Sequence, residues 1–141
     1  MHKIKVYTIG KTKESWLQEA LKEYELRLKA TASLEWILAK NDAQLKQFLE
    51  KEPHFLCLDP NGKQLDSVAF SQMLIHSLEE MGARLSFVIG GSEGIPPEIK
   101  ARSKQLVSLS KLTFTHQITR LILVEQIYRA FEIAKGTGYH K

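Results

Sequence analysis

Leu85-Ser86-Phe87-Val88-Ile89-Gly90-Gly91-Ser92-Glu93-Gly94 joins a nearly all-apolar run to a glycine-rich loop. A strand that is apolar on both sides needs cover on both of its faces, as in the middle of a parallel sheet. Glycine reaches backbone conformations closed to other residues and lets a ligand approach the main chain. In open α/β sheets ligands bind at the carboxyl ends of the strands, where this loop falls. The loop is not G-x-G-x-x-G, and no G-K-[ST] follows it, so it is neither a dinucleotide fingerprint nor a P-loop. Asn61-Gly62-Lys63-Gln64 fails the same test.

Outward from this stretch, strands and helices alternate. Lys3 to Ile9, Leu34 to Leu38, His54 to Leu58 and Leu106 to Leu109 read as four further strands. Trp16, Leu17, Ala20, Leu21, Tyr24 and Leu28 recur at helical spacing, and Gln117 to Lys135 is a long final helix. A short helix carries Leu45, Phe48 and Leu49, with Asp42 as its expected cap and Pro53 beyond its end. Asp59-Pro60-Asn61-Gly62 reads as a turn. Ser67 is the expected cap of a helix bearing Phe70, Met73, Leu74, Leu78 and Met81, which Gly82 stops. Pro96-Pro97 opens a short helix through Lys104. The pattern predicts one α/β domain over residues 1–141, with a parallel sheet between two layers of helices.

The final helix carries Ile118, Leu121, Ile122, Leu123, Val124, Ile127, Ala130, Phe131, Ile133 and Ala134, which cover more than one face. Such a helix needs burial on most sides. In a small domain the simplest second cover is another copy of the chain, so the sequence predicts a homodimer.

Composition restricts the function classes. With 141 residues and 43% hydrophobic content, the chain can form one real core. No apolar run approaches the ~20 residues of a membrane span. The start, Met1-His2-Lys3-Ile4-Lys5-Val6, lacks the apolar segment of a signal peptide. The single cysteine, Cys57, reads as a small buried hydrophobe, and neither disulfide nor zinc chemistry is expected. These features predict a cytoplasmic protein. Net charge is +4, but residues 100–141 hold eight Lys and Arg against two Glu. That imbalance suits a polyanion such as RNA.

Three groups stand out as chemistry. His116 and Arg120 lie four residues apart on one face of an apolar helix. An arginine among Ile118, Leu121 and Ile122 needs an anion or a set of hydrogen bonds. Tyr139-His140-Lys141 leaves an aromatic ring, an imidazole and an amine on a tail loosened by Gly136 and Gly138, able to fold over a site. The histidines show no metal-ligand spacing.

Taken in order, Leu58-Asp59-x-x-Gly62-Lys63, Phe87 to Gly94, Leu109-Ser110-x-Leu112-Thr113, His116-x-x-x-Arg120, Glu125-Gln126-x-Tyr128-Arg129-Ala130 and Tyr139-His140-Lys141 resemble the ribosomal large-subunit methyltransferase H family of SPOUT-class enzymes. The resemblance spans essentially the whole chain. The stretch from Ala39 to Lys51 is shorter than in many members, and Thr115 stands where many have proline. The resemblance implies a C-terminal trefoil knot, a homodimer and S-adenosylmethionine as methyl donor. It implies methylation of N3 of a pseudouridine in the helix 69 loop of large-subunit rRNA, within the assembled ribosome. Carried over by residue, Leu58, Gly91 and the stretch Ser110, Lys111, Leu112, Thr113, Phe114 and Thr115 would line the cofactor pocket. His116 or His140 would act as base, Arg120 would stabilise the anionic ring or clamp a phosphate, and Tyr139 would stack on a base. Two other readings share the fold: an RNA methyltransferase with another target nucleotide, and a ribosome-binding factor without catalysis.

Overall fold

A computed structural model covers residues 1–141. In chain order the elements are β1 (His2–Ile9), α1 (Ser15–Leu28), β2 (Ala32–Ala39), α2 (Asp42–Leu49), β3 (Leu56–Gln64), α3 (Ser67–Glu80), β4 (Arg84–Val88), α4 (Pro97–Arg102), β5 (Gln105–Ser108) and α5 (His116–Lys135). The five strands form one sheet in the order β2-β1-β4-β3-β5. Every pairing is parallel. The expected parallel α/β architecture is therefore present.

Alternation along the strands divides the core in two. Ile4 and Val6 of β1, Leu56 of β3, and Leu85 and Phe87 of β4 pack with α1, α3 and α5. Tyr7, Cys57 and Val88 point the other way and pack with Leu45 and Leu49 of α2 and Ile99 of α4. Helix α1 buries Leu17, Leu21 and Leu28 along one stripe, while Trp16, expected inward, stays 52% exposed. Each fully buried leucine stabilises the fold by roughly 2 kcal/mol. Helix α5 buries Leu123, Val124, Ile127, Ala130 and Phe131 against the larger core, which α1 and α3 share. Part of the apolar surface expected to need a second chain is thus covered within this one.

Local details differ from expectation by a residue or two. The cap of α2 is Asn41, whose side chain accepts from the Gln44 N–H, not Asp42. The cap of α3 is Asp66, accepting from Ala69 N–H, not Ser67. In both cases the residue one step earlier leaves the helix in extended backbone, which aims its oxygen at the first turn. The turn expected at Asp59 to Gly62 is an excursion inside β3. Leu58 and Lys63 both pair with Val107, so the residues between them bulge out of the ladder. Gly62 is required there, because a Cβ would lie 2.6 Å from the carbonyl carbon of Leu106.

Candidate active site

The bulge of β3, the loop after β4 and the loop after β5 meet at the carboxyl ends of the strands. They enclose a cavity of about 500 Å³. Leu58, Asp59 and Pro60 form one wall, Ile89 to Gly91 and Gly94 another, and Ser108 to Ser110 with Leu112 to Thr115 a third. The first turn of α5 closes it with His116 and Thr119. Of the residues expected around a cofactor, Leu58, Gly91, Ser110, Leu112, Thr113, Phe114 and Thr115 line this cavity. Lys111 does not, and its side chain is exposed.

The third wall has a largely unpaired main chain. From Leu109 to Phe114 no backbone N–H or C=O pairs with another backbone group. Ser110 organises the bend, its Oγ accepting from Leu112 N–H at 3.0 Å while its carbonyl accepts from the Ser108 hydroxyl at 2.9 Å. Most amides and carbonyls of the loop therefore stay free for a ligand, which suits a nucleoside with an amino-acid tail. Unpaired amides and carbonyls of this kind are the groups by which the resemblance would hold S-adenosylmethionine.

The glycines of the loop divide the work differently from expectation. Gly91 lines the cavity, yet its φ is not in the left-handed region. A Cβ there would meet only the Ile9 side chain, at 3.5 Å, which is ordinary contact. Gly90 and Gly94 are the obligate pair. A Cβ on Gly90 would lie 2.5 Å from the Gly94 carbonyl carbon, and Gly94 has φ +84°. Gly94 N–H donates to Gly91 carbonyl at 3.0 Å, closing a tight turn.

His116 sits half-buried at the start of α5, which Thr115 caps by accepting from Ile118 N–H. Burial, then the nearby charges of Arg120 and Lys13, hold its imidazole below the usual histidine range. It is therefore neutral near pH 7 and able to accept a proton. Arg120, one turn on, is fully buried. Its Nη1 donates to Thr12 Oγ1 at 3.0 Å, and its Nη2 donates to the carbonyls of Ile9 and Gly10 at 2.9 and 2.7 Å. Of an anion or a set of hydrogen bonds, the structure supplies hydrogen bonds. The guanidinium ties the end of β1 to α5 and does not line the cavity of its own chain. Asp59, not singled out from sequence as a site residue, is buried in the cavity wall with Lys100 as its ion-pair partner. Burial opposes its charge, but Lys100 and the Asn61 N–H outweigh that and hold its carboxyl below the usual range. Thr119 is a further wall residue that the sequence reading passes over; its spacing of one turn from His116 is the available signal.

The tail, expected to be loose, is docked. Gly136 takes the left-handed conformation and ends α5. The Tyr139 hydroxyl donates to Glu125 Oε2 at 2.8 Å, and its ring meets Tyr128 edge-on at 4.8 Å. His140 Nδ1 lies 3.0 Å from Arg129 Nη1, and Arg129 also pairs with Glu125. Glu125 is nine residues beyond His116, or roughly 14 Å along the helix at ~1.5 Å per residue. Within one chain, then, Tyr139 and His140 are not brought to His116. Cys57 is fully buried, and burial pushes its thiol up to about 11, so it is no nucleophile at neutral pH. No three His, Cys, Asp or Glu side chains are grouped to hold a metal ion, and no helix is long and apolar enough to cross a membrane.

A parallel sheet with a cavity at its carboxyl ends, followed by a capped helix bearing a half-buried histidine, has a class that comparison identifies. Residues 2–140 match the family described as "Predicted SPOUT methyltransferase", and the chain belongs to it. Within that class the chain is a member of the ribosomal RNA large subunit methyltransferase H family. The protein of that name from Protochlamydia amoebophila is 52% identical over 141 residues, covering 100% of both chains. Its namesake from Enterococcus faecalis is 40% identical over 162 aligned positions, covering 99% of each. Among solved structures, a probable methylase family protein from Haemophilus influenzae superposes with TM-score 0.61 at 6% identity, covering 98% of this chain and 70% of that one. A probable methyltransferase from Bordetella pertussis gives TM-score 0.57 at 8% identity, covering 92% and 96%. These two likenesses show the fold.

Proposed function

We propose that this protein is an S-adenosylmethionine-dependent methyltransferase of large-subunit rRNA, acting on N3 of a pseudouridine in the helix 69 loop of the assembled ribosome in the cytoplasm. The observation that carries the reading is the cavity lined by Leu58, Gly91, Ser110 and Leu112 to Thr115, much of whose main chain is unpaired, with His116 at its rim, in a chain of this family. Leu58, Gly91 and the Ser110–Thr115 stretch hold the cofactor by backbone and apolar contacts. When bound, S-adenosylmethionine supplies an electrophilic methyl group on a sulfonium, so no metal is required. The protein must orient the base and take one proton from N3. His116 of one chain and His140 of a second are the two candidate acceptors. Tyr139 of that second chain stacks on a base.

A homodimer is part of this reading, because the tail of one chain docks too far along its own α5 to serve its own cavity. Exposed Trp16 and Leu112, with half-buried Ile118 and Ile122, offer apolar surface for the partner. Arg120 acts by position: it fixes the strand end beside His116, and its charge adds to the burial that lowers that imidazole. A trefoil knot belongs to the same proposal, with the chain from β4 through α5 passing through a loop of the fold. The deciding experiment is mass spectrometry of the helix 69 loop from ribosomes lacking the modification, incubated with protein and S-adenosylmethionine. A methyl on N3 of a pseudouridine is expected. Tight cofactor binding with a methyl on another nucleotide would shift the target, and no transfer to any RNA would leave a binding factor.

A further inference from the structure

At the amino-terminal ends of the strands, about 20 Å from the cavity at ~3.3 Å per residue along β1, lies a second hollow of about 510 Å³. Helices α2 and α4 cover this sheet face only toward its other end, where Tyr7, Cys57 and Val88 are buried. Here the face is polar. Lys3 of β1 and Arg84 of β4 are register partners, and Lys5 is the partner of both Ser86 and Glu35. Registered positions of parallel strands lie ~4.8 Å apart on one face, so Lys3 and Arg84 stand side by side. Like charges so placed repel and destabilise the sheet unless something neutralises them.

The two carboxylates of the hollow, Glu35 and Glu52, do so only in part. Lys51 adds a further cation to the rim. Of the two carboxylates, Glu52 is engaged, accepting from the Tyr7 hydroxyl at 2.9 Å and pairing with Lys5 at 3.4 Å. Glu35 makes no ion pair, and neither do Lys3, Lys51 and Arg84. Ser86, 4% exposed, lines the hollow. A hydroxyl beside two unpaired cations is a donor set that suits an oxyanion.

We propose that this hollow binds a backbone phosphate of an RNA strand, with Lys3 and Arg84 as clamps and Ser86 as a further donor. The inference rests on the RNA-methyltransferase reading and adds a second point of RNA attachment at the opposite end of the sheet. Long charged side chains line the hollow at the exposed end of the sheet, where a phosphate of a passing strand can reach them.

The test is sedimentation binding to ribosomes over a range of salt, comparing full-length protein with the double variant Lys3→Gln/Arg84→Gln. A control double variant, Lys22→Gln/Lys29→Gln, removes the same charge from exposed positions at α1. The hollow variant is expected to bind about tenfold more weakly. Its plot of log affinity against log salt should be shallower by roughly 0.7–0.9 for each phosphate the variant no longer engages. Its S-adenosylmethionine affinity and saturated single-turnover rate should equal wild type, and circular dichroism should show the same fold. Lys3→Arg/Arg84→Lys should restore the slope. Affinity and slope matching the control would overturn the inference. So would tight binding of inorganic phosphate by wild-type protein, abolished in the hollow variant, with ribosome affinity unchanged; that would make it a free-anion site. Because the readout is binding, a protein that binds ribosomes through this hollow yet transfers no methyl would refute the enzymatic reading alone.

Discussion

A Cβ on Gly90 would strike the Gly94 backbone at 2.5 Å, whereas one on Gly91 meets a side chain at 3.5 Å. Gly90→Ala should therefore destabilise the fold by about 2 kcal/mol or more, since backbone must move. Gly91→Ala should leave thermal stability within about 0.5 kcal/mol. Denaturant unfolding of the two variants side by side checks this, and equal losses would contradict the geometry. Arg120 is a second case. Arg120→Ala removes three hydrogen bonds from a fully buried site and strands two carbonyls, a loss of about 3 kcal/mol. If the variant unfolds at the wild-type denaturant midpoint yet transfers no methyl, Arg120 is chemical and not structural. His116 carries a pH signature. Its folded value is depressed, so its contribution to stability is complete above about 6.5 and is lost as pH falls through the folded value. If it is the base, the acid limb of kcat/KM should lie below that ordinary value and vanish in His116→Gln. A limb unchanged in that variant would remove His116 as the base.

At the scale of elements, the tail is the informative segment. Two glycines and a chain end predict fraying, yet Glu125 and Arg129 hold Tyr139 and His140 against α5. Deleting Tyr139 to Lys141 should cost about 1–2 kcal/mol, because it removes the Tyr139–Glu125 and His140–Arg129 hydrogen bonds, both only partly buried, and the edge-on packing of two rings. It should also slow methyl incorporation into ribosomes by on the order of a hundredfold, the scale of one positioned acid or base. Glu125→Gln should loosen the tail without removing it, seen as faster proteolysis at residues 136–141. A truncated protein with full initial rate would return the tail to a structural role. Helix caps show the limit of reading elements from sequence. Asn41-Asp42 and Asp66-Ser67 each offer two capping oxygens in succession, and the first of each pair is the one used. Only the backbone angle at the junction chooses between them.

For the whole molecule, the proposed dimer and knot make separate demands. Sedimentation at micromolar concentration should give twice the 16.1 kDa chain mass. A monomer there would leave the tail without a cavity to serve. A knot would show in single-molecule pulling from the two termini, where the unfolded contour should fall short of the ~3.3–3.6 Å per residue expected of an open chain. A full-length contour would remove the knot.

Apolar runs, glycine punctuation and helical spacing determined the five strands, the five helices and the parallel sheet, but not the strand order, because burial on two faces leaves a distinct pattern in the chain. The family resemblance, not periodicity, supplied Leu58, Gly91 and Ser110 to Thr115 as a cofactor set; the fold brings these residues, apart from Lys111, around one cavity together with His116. What tertiary structure alone decided depends on distances between segments far apart in sequence. Arg120 finds its partners at Ile9, Gly10 and Thr12, more than 100 residues away. The unpaired cations Lys3 and Arg84 become neighbours only through strand register. Periodicity tells each residue which face it lies on, but not which distant residue stands beside it there.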